Sequence, residues 1–469
     1  MKKKALTILF CLIIGILIAQ DEVKYGELME SVSCEADKNQ TYALYVPSYY
    51  SVEKKWPIIF VFEPAARGPL PVGQYQQVAE ELGYIIISSN NSKNGSWDLS
   101  FTAADAIFKD GAARFNIDST RIYTSGFSGG SRVAVTLAAI NKNITGVIGC
   151  GAGLSSVQRY QPGPTSNFEY VGMVGNRDMN YLEHLELEEK FDAMGIINNR
   201  ITFAAGHQWP APDQLREAVY WLELQAYKKG KQVSSAFTTD TLFQRMKFRG
   251  DSLFQINRLV QALDVYQQMA DDFEGQKNLE IIRKQVEKVK GMKQLKKYQK
   301  RDERLNERER KYQVKIDEAF FEIRRTRLMI TNDSTVKTKE WWFRESDSLQ
   351  SVTRSKNIDK RNSAYRLLNL IWAKFATSSF DYTARQDYEM AITLNEIWLY
   401  ADPESVWALW SMAKLQAKTE NADAAINYLN KAHRAGMKYR GSLRATEFDI
   451  LRQDPRFIEL ESKLIVLNQ

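Results

Sequence analysis

Residues 121–140, RIYTSGFSGGSRVAVTLAAI, decide the fold. The first part reads as a β-strand, and from Gly130 onward the apolar residues take helical spacing. Between the two lies Gly126-Phe127-Ser128-Gly129-Gly130, a G-x-S-x-G segment. A serine hydroxyl is a poor nucleophile unless it is exposed, oriented and beside a base. A strand-to-helix elbow meets the first two conditions, because glycines on both sides let the backbone turn sharply without side-chain collision. The following helix also aims its free N–H groups and positive dipole end at any oxyanion that forms there. Ser128 is therefore the candidate nucleophile and the Gly129 N–H the first oxyanion donor. A structural Gly-Ser turn would require neither the strand before nor the helix after.

Outward from this segment, short β-rich runs alternate with amphipathic stretches over residues 40–228, which predicts a mostly parallel sheet covered by helices. Strands are expected at 41–47, 58–63, 84–89, 121–125, 146–150, 170–174 and 200–204, and helices near 73–82, 103–115, 130–140, 182–194 and 212–224. Several strands are apolar throughout, as strands buried on both faces must be. A serine nucleophile on such a sheet requires an acid and then a histidine downstream, each just past a strand. The chain has three histidines. His207 follows the run ITFAA and precedes a helix, the expected place for the base. His184 reads as a surface helical residue, and His433 lies far along the chain. The loop after 170–174 offers one carboxylate, Asp178, to fix the imidazole tautomer; capping the next helix is its other reading.

The second oxyanion donor should come from Glu63-Pro64-Ala65-Ala66-Arg67-Gly68, with Ala65 or Ala66 as the donor. Arg67 either binds a substrate carboxylate or pairs with Glu63. Trp97, in the polar segment 88–97, and Trp209, beside the base, are candidate pocket walls. With these residues in view, 40–228 resembles the compact α/β-hydrolases grouped around dienelactone hydrolase, carboxylesterase and the polyhydroxybutyrate-depolymerase-like esterases. The resemblance rests on the 126–130 elbow, Asp178, Gly206-His207-Gln208-Trp209-Pro210 and the 62–68 loop. It implies hydrolysis of an ester or related acyl group through an acyl-enzyme, with no metal or organic cofactor. The HGGG donor motif of lipases is missing, and a serine stands where dienelactone hydrolase has cysteine, so that enzyme's substrate is not implied.

After Lys228 glycine and proline become scarce and Lys, Arg, Glu and Gln dominate, so an all-α region is expected. The stretch 276–330 reads as one long, charged, solvated helix, a short coiled coil being the alternative. Farther on, Phe375, Ser379, Ala391, Ile392 and Leu394 recur at a constant interval as Leu409, Ala413, Ala425, Ile426 and Tyr428, and the first unit closes on Pro403. This pattern resembles the tetratricopeptide repeat, and a weaker copy surrounds 262–273. The resemblance implies a groove for a protein partner; plain helical hairpins are the other reading. The expected divisions are 1–20, 21–228, 229–275, 276–330 and 331–469.

The first twenty residues run from three lysines through an apolar core to Ala19, the order of a secretory signal. A retained anchor is the alternative, although the apolar run is shorter than the roughly 20 residues a spanning helix needs. Export leaves Cys34 and Cys150, of which Cys150 reads as a small buried side chain. A net charge of +7 over 469 residues, its excess concentrated after residue 280, marks no nucleic-acid site. The expectation is an exported, periplasmic or secreted esterase acting on a polar or saccharide ester, with the helical region docking a partner. A scaffold with an inactive hydrolase unit and an exopeptidase of the same fold are the alternatives. No residue marks a pocket for a free amino terminus.

Overall fold

The computed structural model describes residues 22–326, 338–438 and 440–465. The expected signal segment lies outside them, as does part of the junction between 276–330 and 331–469. Eight strands form one sheet: β1 (Met29–Ser33), β2 (Thr41–Tyr45), β3 (Trp56–Phe62), β4 (Ile85–Ser89), β5 (Ile117–Phe127), β6 (Ile144–Cys150), β7 (Glu169–Gly175) and β8 (Asn198–Phe203). Their spatial order is β1-β2-β4-β3-β5-β6-β7-β8. The β1–β2 and β2–β4 pairs are antiparallel, and from β4 to β8 every pair is parallel. This is the α/β-hydrolase arrangement, mostly parallel with an antiparallel edge. All seven expected strands form. β1 was not expected; it is an edge strand whose MESVS sequence has only Val32 fully buried.

Alternation along the strands divides two cores. In β3, Ile59 and Val61 face one side and Ile58, Phe60 and Phe62 the other. The first side packs against α1 (Pro69–Leu82) and α5 (Pro212–Lys228); the second against α2 (Trp97–Arg114), α3 (Gly129–Ile140) and α4 (Tyr181–Met194). Cys34 and Cys150 are buried on opposite sides of the sheet and unpaired.

An all-α region follows, as the composition implied, but its first part shares a core with the sheet. α6 (Thr239–Gln255), α7 (Leu259–Asp272) and α8 (Glu280–Lys290) extend the α1/α5 core as far as Leu295. Across that junction the Trp221 indole N–H donates to the Asp272 carboxylate at 2.9 Å. The charged stretch is two helices, not one: α8 stops before Gly291, and α9 covers Lys293–Thr326. Neither is simply solvated. Ile282, Val286 and Val289 bury one stripe of α8, and Ile316, Ala319, Phe320 and Ile323 bury one of α9. Sparse apolar residues suffice when all fall on one face.

The remainder comprises α10 (Lys339–Val352), α11 (Ile358–Ala384), α12 (Tyr388–Ala401), α13 (Val406–Lys418), α14 (Ala422–Arg434) and α15 (Pro455–Ser462). The recurring positions Phe375, Ala391 and Leu394, and Leu409, Ala413, Ala425 and Ile426, are buried in the successive cores of these helices. Ser379 Oγ donates to the Ala391 carbonyl at 3.0 Å, a close α11–α12 approach that a small residue permits. Among the described residues no helix is long and apolar enough to cross a membrane.

Candidate active site

β5 delivers Ser128 to the carboxyl edge of the sheet in a backbone conformation (φ 52°, ψ −121°) that side-chain-bearing residues rarely adopt. Its neighbours permit this. A Cβ on Gly126 would lie 2.2 Å from the Gly130 carbonyl oxygen, and one on Gly130 would lie 2.0 Å from that of Phe62. The Ser128 N–H donates to Cys150 O at 2.8 Å, and the Ser128 carbonyl accepts the Ser131 N–H at 3.0 Å, so β6 and the start of α3 hold the elbow from both sides.

The adjacent strand ends bring the other two candidates to it. His207 Nε2 lies 2.9 Å from Ser128 Oγ, and His207 Nδ1 lies 2.9 Å from Asp178 Oδ2. Asp178 is buried, and its Oδ1 accepts the Asn180 N–H at 2.9 Å, so one carboxylate both faces the imidazole and shapes the turn into α4. Asn180 Nδ2 in turn donates to Gly151 O at 2.6 Å, binding the acid loop to the loop after β6. Phe127 packs against the imidazole at 4.6 Å between ring centroids. The arrangement can take the serine proton on Nε2 while Nδ1–H stays bonded to the carboxylate.

The oxyanion side departs from expectation. Glu63 is fully buried and organises its own loop: Oε2 accepts the N–H groups of Ala65 at 2.7 Å and Arg67 at 3.1 Å, and the Glu63 carbonyl accepts that of Ala66 at 3.1 Å. Both alanine donors are therefore engaged. Arg67 pairs with Glu63 through Nε at 3.1 Å and through Nη2, which favours the pairing role over a substrate carboxylate. Gly129 is the first residue of α3 and its N–H has no intrahelical acceptor. Against it lies an unexpected residue, Asn94: a Cβ on Gly129 would be 1.8 Å from the Asn94 side-chain oxygen. The Asn94 N–H donates to Pro64 O at 2.9 Å, so the 63–67 loop fixes the height of the 92–96 loop. A half-turn of the Asn94 amide presents Nδ2 where Oδ1 now stands.

Asn94, Trp97, Gly129, Arg132 and Val133 line a pocket of about 130 Å³. Trp97 packs there against Phe101 and Tyr160, at 5.7 and 5.0 Å. Trp209 instead points inward: it is buried in the α1/α5 core and packs on Phe127 at 5.5 Å, a support beneath the base and not a pocket wall. His184 is also buried, not on the surface. It packs under Gly172 of β7, where burial pushes its pKa down to about 4 although Glu183 and Asp178 pull the other way. Arg132 and Glu183 form a two-pronged pair at 2.6 and 2.8 Å; burial opposes the Glu183 charge, and Arg132 nevertheless holds its carboxyl below the ordinary range. Among the described residues no cluster of His, Cys, Asp and Glu could hold a metal.

The largest omission from the sequence reading lies in α11. Arg366 Nη1 donates to Asn176 O at 2.8 Å, Asn369 Nδ2 donates to Arg177 O at 2.6 Å, and Trp372 stands 6.5 Å from His207 between ring centroids. These residues recur every third position on one helical face. Polar Arg366 and Asn369 interrupting the apolar run 366–372 were the available sign of a buried contact, but not of its partner.

No protein-family model matches this chain, and no curated protein does. Among solved structures it is similar to the S-formylglutathione hydrolase FrmB of Staphylococcus aureus, at 12% identity over 39% of this chain and 90% of that one, with a TM-score of 0.33. It is similar to Est1E of Butyrivibrio proteoclasticus at 13% identity, over 43% and 99%, with a TM-score of 0.35. The acylaminoacyl peptidase of Pyrococcus horikoshii shares 11% identity over 43% of this chain and 41% of its own, with a TM-score of 0.32. The functional reading rests on the site's own geometry.

Proposed function

We propose that this protein is a serine hydrolase that cleaves a polar carboxylic ester through an acyl-enzyme on Ser128. The observation that carries the reading is the unbroken relay Asp178–His207–Ser128, with both links at 2.9 Å, beside a helix N-terminus. His207 Nε2 takes the Ser128 proton as Oγ attacks the ester carbonyl carbon. The carbonyl π electrons move to oxygen, and the Gly129 N–H receives the resulting oxyanion. We propose Asn94 Nδ2 as the second donor on the packing of its side-chain amide against Gly129, the N–H groups of Ala65 and Ala66 being taken by Glu63. Collapse breaks the C–O bond to the alcohol, which leaves with the proton from His207. Water, deprotonated by the same nitrogen, then attacks the acyl-enzyme and regenerates Ser128. Asp178 keeps Nδ1 protonated and balances the transient imidazolium.

The chain is also proposed to be exported; the charge–apolar–small order of its first twenty residues supports this. Docking of a protein partner by the C-terminal hairpins is supported by the recurrence of small and apolar residues between 375–394 and 409–428. The experiment for the reaction is stopped-flow hydrolysis of p-nitrophenyl acetate. The expected result is a nitrophenolate burst equal to the enzyme concentration, abolished in Ser128→Ala. Turnover by Ser128→Ala at the wild-type rate would overturn the mechanism.

A further inference from the structure

The two halves of α9 treat their cations differently. In the second, Arg310 Nε meets Glu186 at 2.9 Å, Lys311 Nζ meets Glu307 at 2.7 Å and Lys315 Nζ meets Glu345 at 2.7 Å. In the first, Lys296, Lys300, Arg304 and Arg308 recur at every fourth position, all exposed and, among the described residues, without a carboxylate partner. Like charges at this spacing repel and weaken a helix, so the row returns nothing to the fold.

The row lines a groove of about 730 Å³ between α9 and the start of α11, where Lys297 and Lys360 add two further exposed cations. Asp359, the carboxylate that lines the groove, is already taken: it pairs with Arg258 and, at 3.0 Å, with Arg301. The Arg301 pair also ties α9 to α11, and Asn257 Nδ2 donates to Tyr298 OH at 2.8 Å, so the walls are set before anything binds. Unpaired cations around a fixed concave surface call for an anion.

The spacing selects its form. Four residues of helix rise about 6 Å, so the row spans about 18 Å. An extended peptide turns alternate side chains to the same side about every 6.6 Å, so four carboxylates at alternate positions cover about 20 Å and meet the row in step. A single small anion cannot span the row, and a planar bilayer cannot reach the floor of a groove. Nucleotide bases find no stacking platform, because the aromatic ring that lines the groove, Tyr298, carries the Arg301 guanidinium at 4.9 Å.

We propose that the α9–α11 groove binds an extended acidic segment of a protein partner, with carboxylates at alternate positions. The groove shares no lining residue with the pocket beside Ser128 or with the 375–428 hairpins, and the inference does not rest on the hydrolase reading.

The test is fluorescence anisotropy of a labelled heptapeptide of alternating glutamate and threonine, titrated with the full chain. The peptide should bind wild type, and added salt should weaken it. Lys296→Gln/Lys300→Gln/Arg304→Gln/Arg308→Gln should raise Kd by about 10-fold or more, as four exposed ion pairs lost together do, with the melting temperature kept. Lys284→Gln/Lys311→Gln removes two exposed cations outside the groove and should leave Kd unchanged. Two further peptides need no variant to fold: one with its four glutamates contiguous should bind several-fold more weakly, and one of alternating lysine and threonine should not bind. No binding of the alternating acidic peptide, equal binding of the contiguous one, or a Kd unmoved in the fourfold variant would overturn the inference. So would tighter binding of heptathymidylate, tetragalacturonate or phosphatidylglycerol vesicles.

Discussion

Arg366→Met tests the junction between the helical region and the acid loop. The Arg366 and Glu309 side chains are 5% and 0% exposed and meet through two charge-assisted hydrogen bonds, while the third contact of the guanidinium holds Asn176 O. Removing the guanidinium strands a carboxylate in the interior and leaves a loop carbonyl without its donor. Breaking a buried pair in this way costs about 3–5 kcal/mol, and the lost carbonyl bond adds about 1 kcal/mol. Urea denaturation followed by far-UV ellipticity should show that loss as an earlier transition of the helical region, since separate cores need not unfold together. The double variant Arg366→Met/Glu309→Leu strands no charge and should recover most of the stability. It should not recover activity, because Asn176 O stays unheld and a misplaced acid loop costs on the order of 10²-fold in kcat. A single variant as stable as wild type, or a double variant no better than the single, would refute the reasoning.

Three other outcomes are expected. Asn94→Ala should lower kcat by about 10²-fold with little change in KM, as the loss of one oxyanion donor does; an unchanged kcat would return the second donor to the 63–67 loop. Gly130→Ala should fail to yield active protein, because its Cβ would lie 2.0 Å from the Phe62 carbonyl oxygen and neither backbone can yield; activity near wild type would show that the elbow is looser than its geometry. Buried His184, with its pKa near 4 against an ordinary 6.5, stays neutral in the fold while the unfolded chain takes up a proton, so its stability contribution is complete above pH 6.5 and lost as pH falls toward 4. The full loss is about 3 kcal/mol, and His184→Leu should flatten the fall relative to wild type in pH-dependent denaturation; burial raises Asp264 and Asp272 to about 6, so both titrate in that window with the opposite sign, and only the difference between variant and wild type isolates His184.

What could be read from the chain follows from the range of each interaction. The elbow, Asp178 and His207 are strand-end residues in a parallel sheet, and strand ends are marked locally by apolar runs stopping at polar loops, so the structure brings together the three residues the pattern singles out. The burial of His184 is legible in its helical position. His184, Leu187 and Phe191 share one face of α4, and that face meets the sheet. The engagement of Ala65 was not legible, because it depends on the Glu63 carboxylate folding back into the loop instead of pointing to solvent, and that of Ala66 depends on the turn that brings its N–H to the Glu63 carbonyl. The splitting of the charged stretch at Gly291 was visible in the sequence but outweighed by the density of charge. The contacts of Arg366 and Asn369 with the acid loop join residues 190 and 192 positions apart, Trp372 meets the base across a comparable stretch of chain, and no local pattern encodes a pairing of that range.

The central claim is that His207 and Asp178 activate Ser128, and covalent labelling by a fluorophosphonate reads it most directly. Wild type should incorporate one equivalent per chain at Ser128, located by peptide mass. Ser128→Ala should incorporate none, and His207→Ala should react at a small fraction of the wild-type rate. A folded wild type that stays unlabelled, or a His207→Ala variant that labels as fast as wild type, would contradict the account.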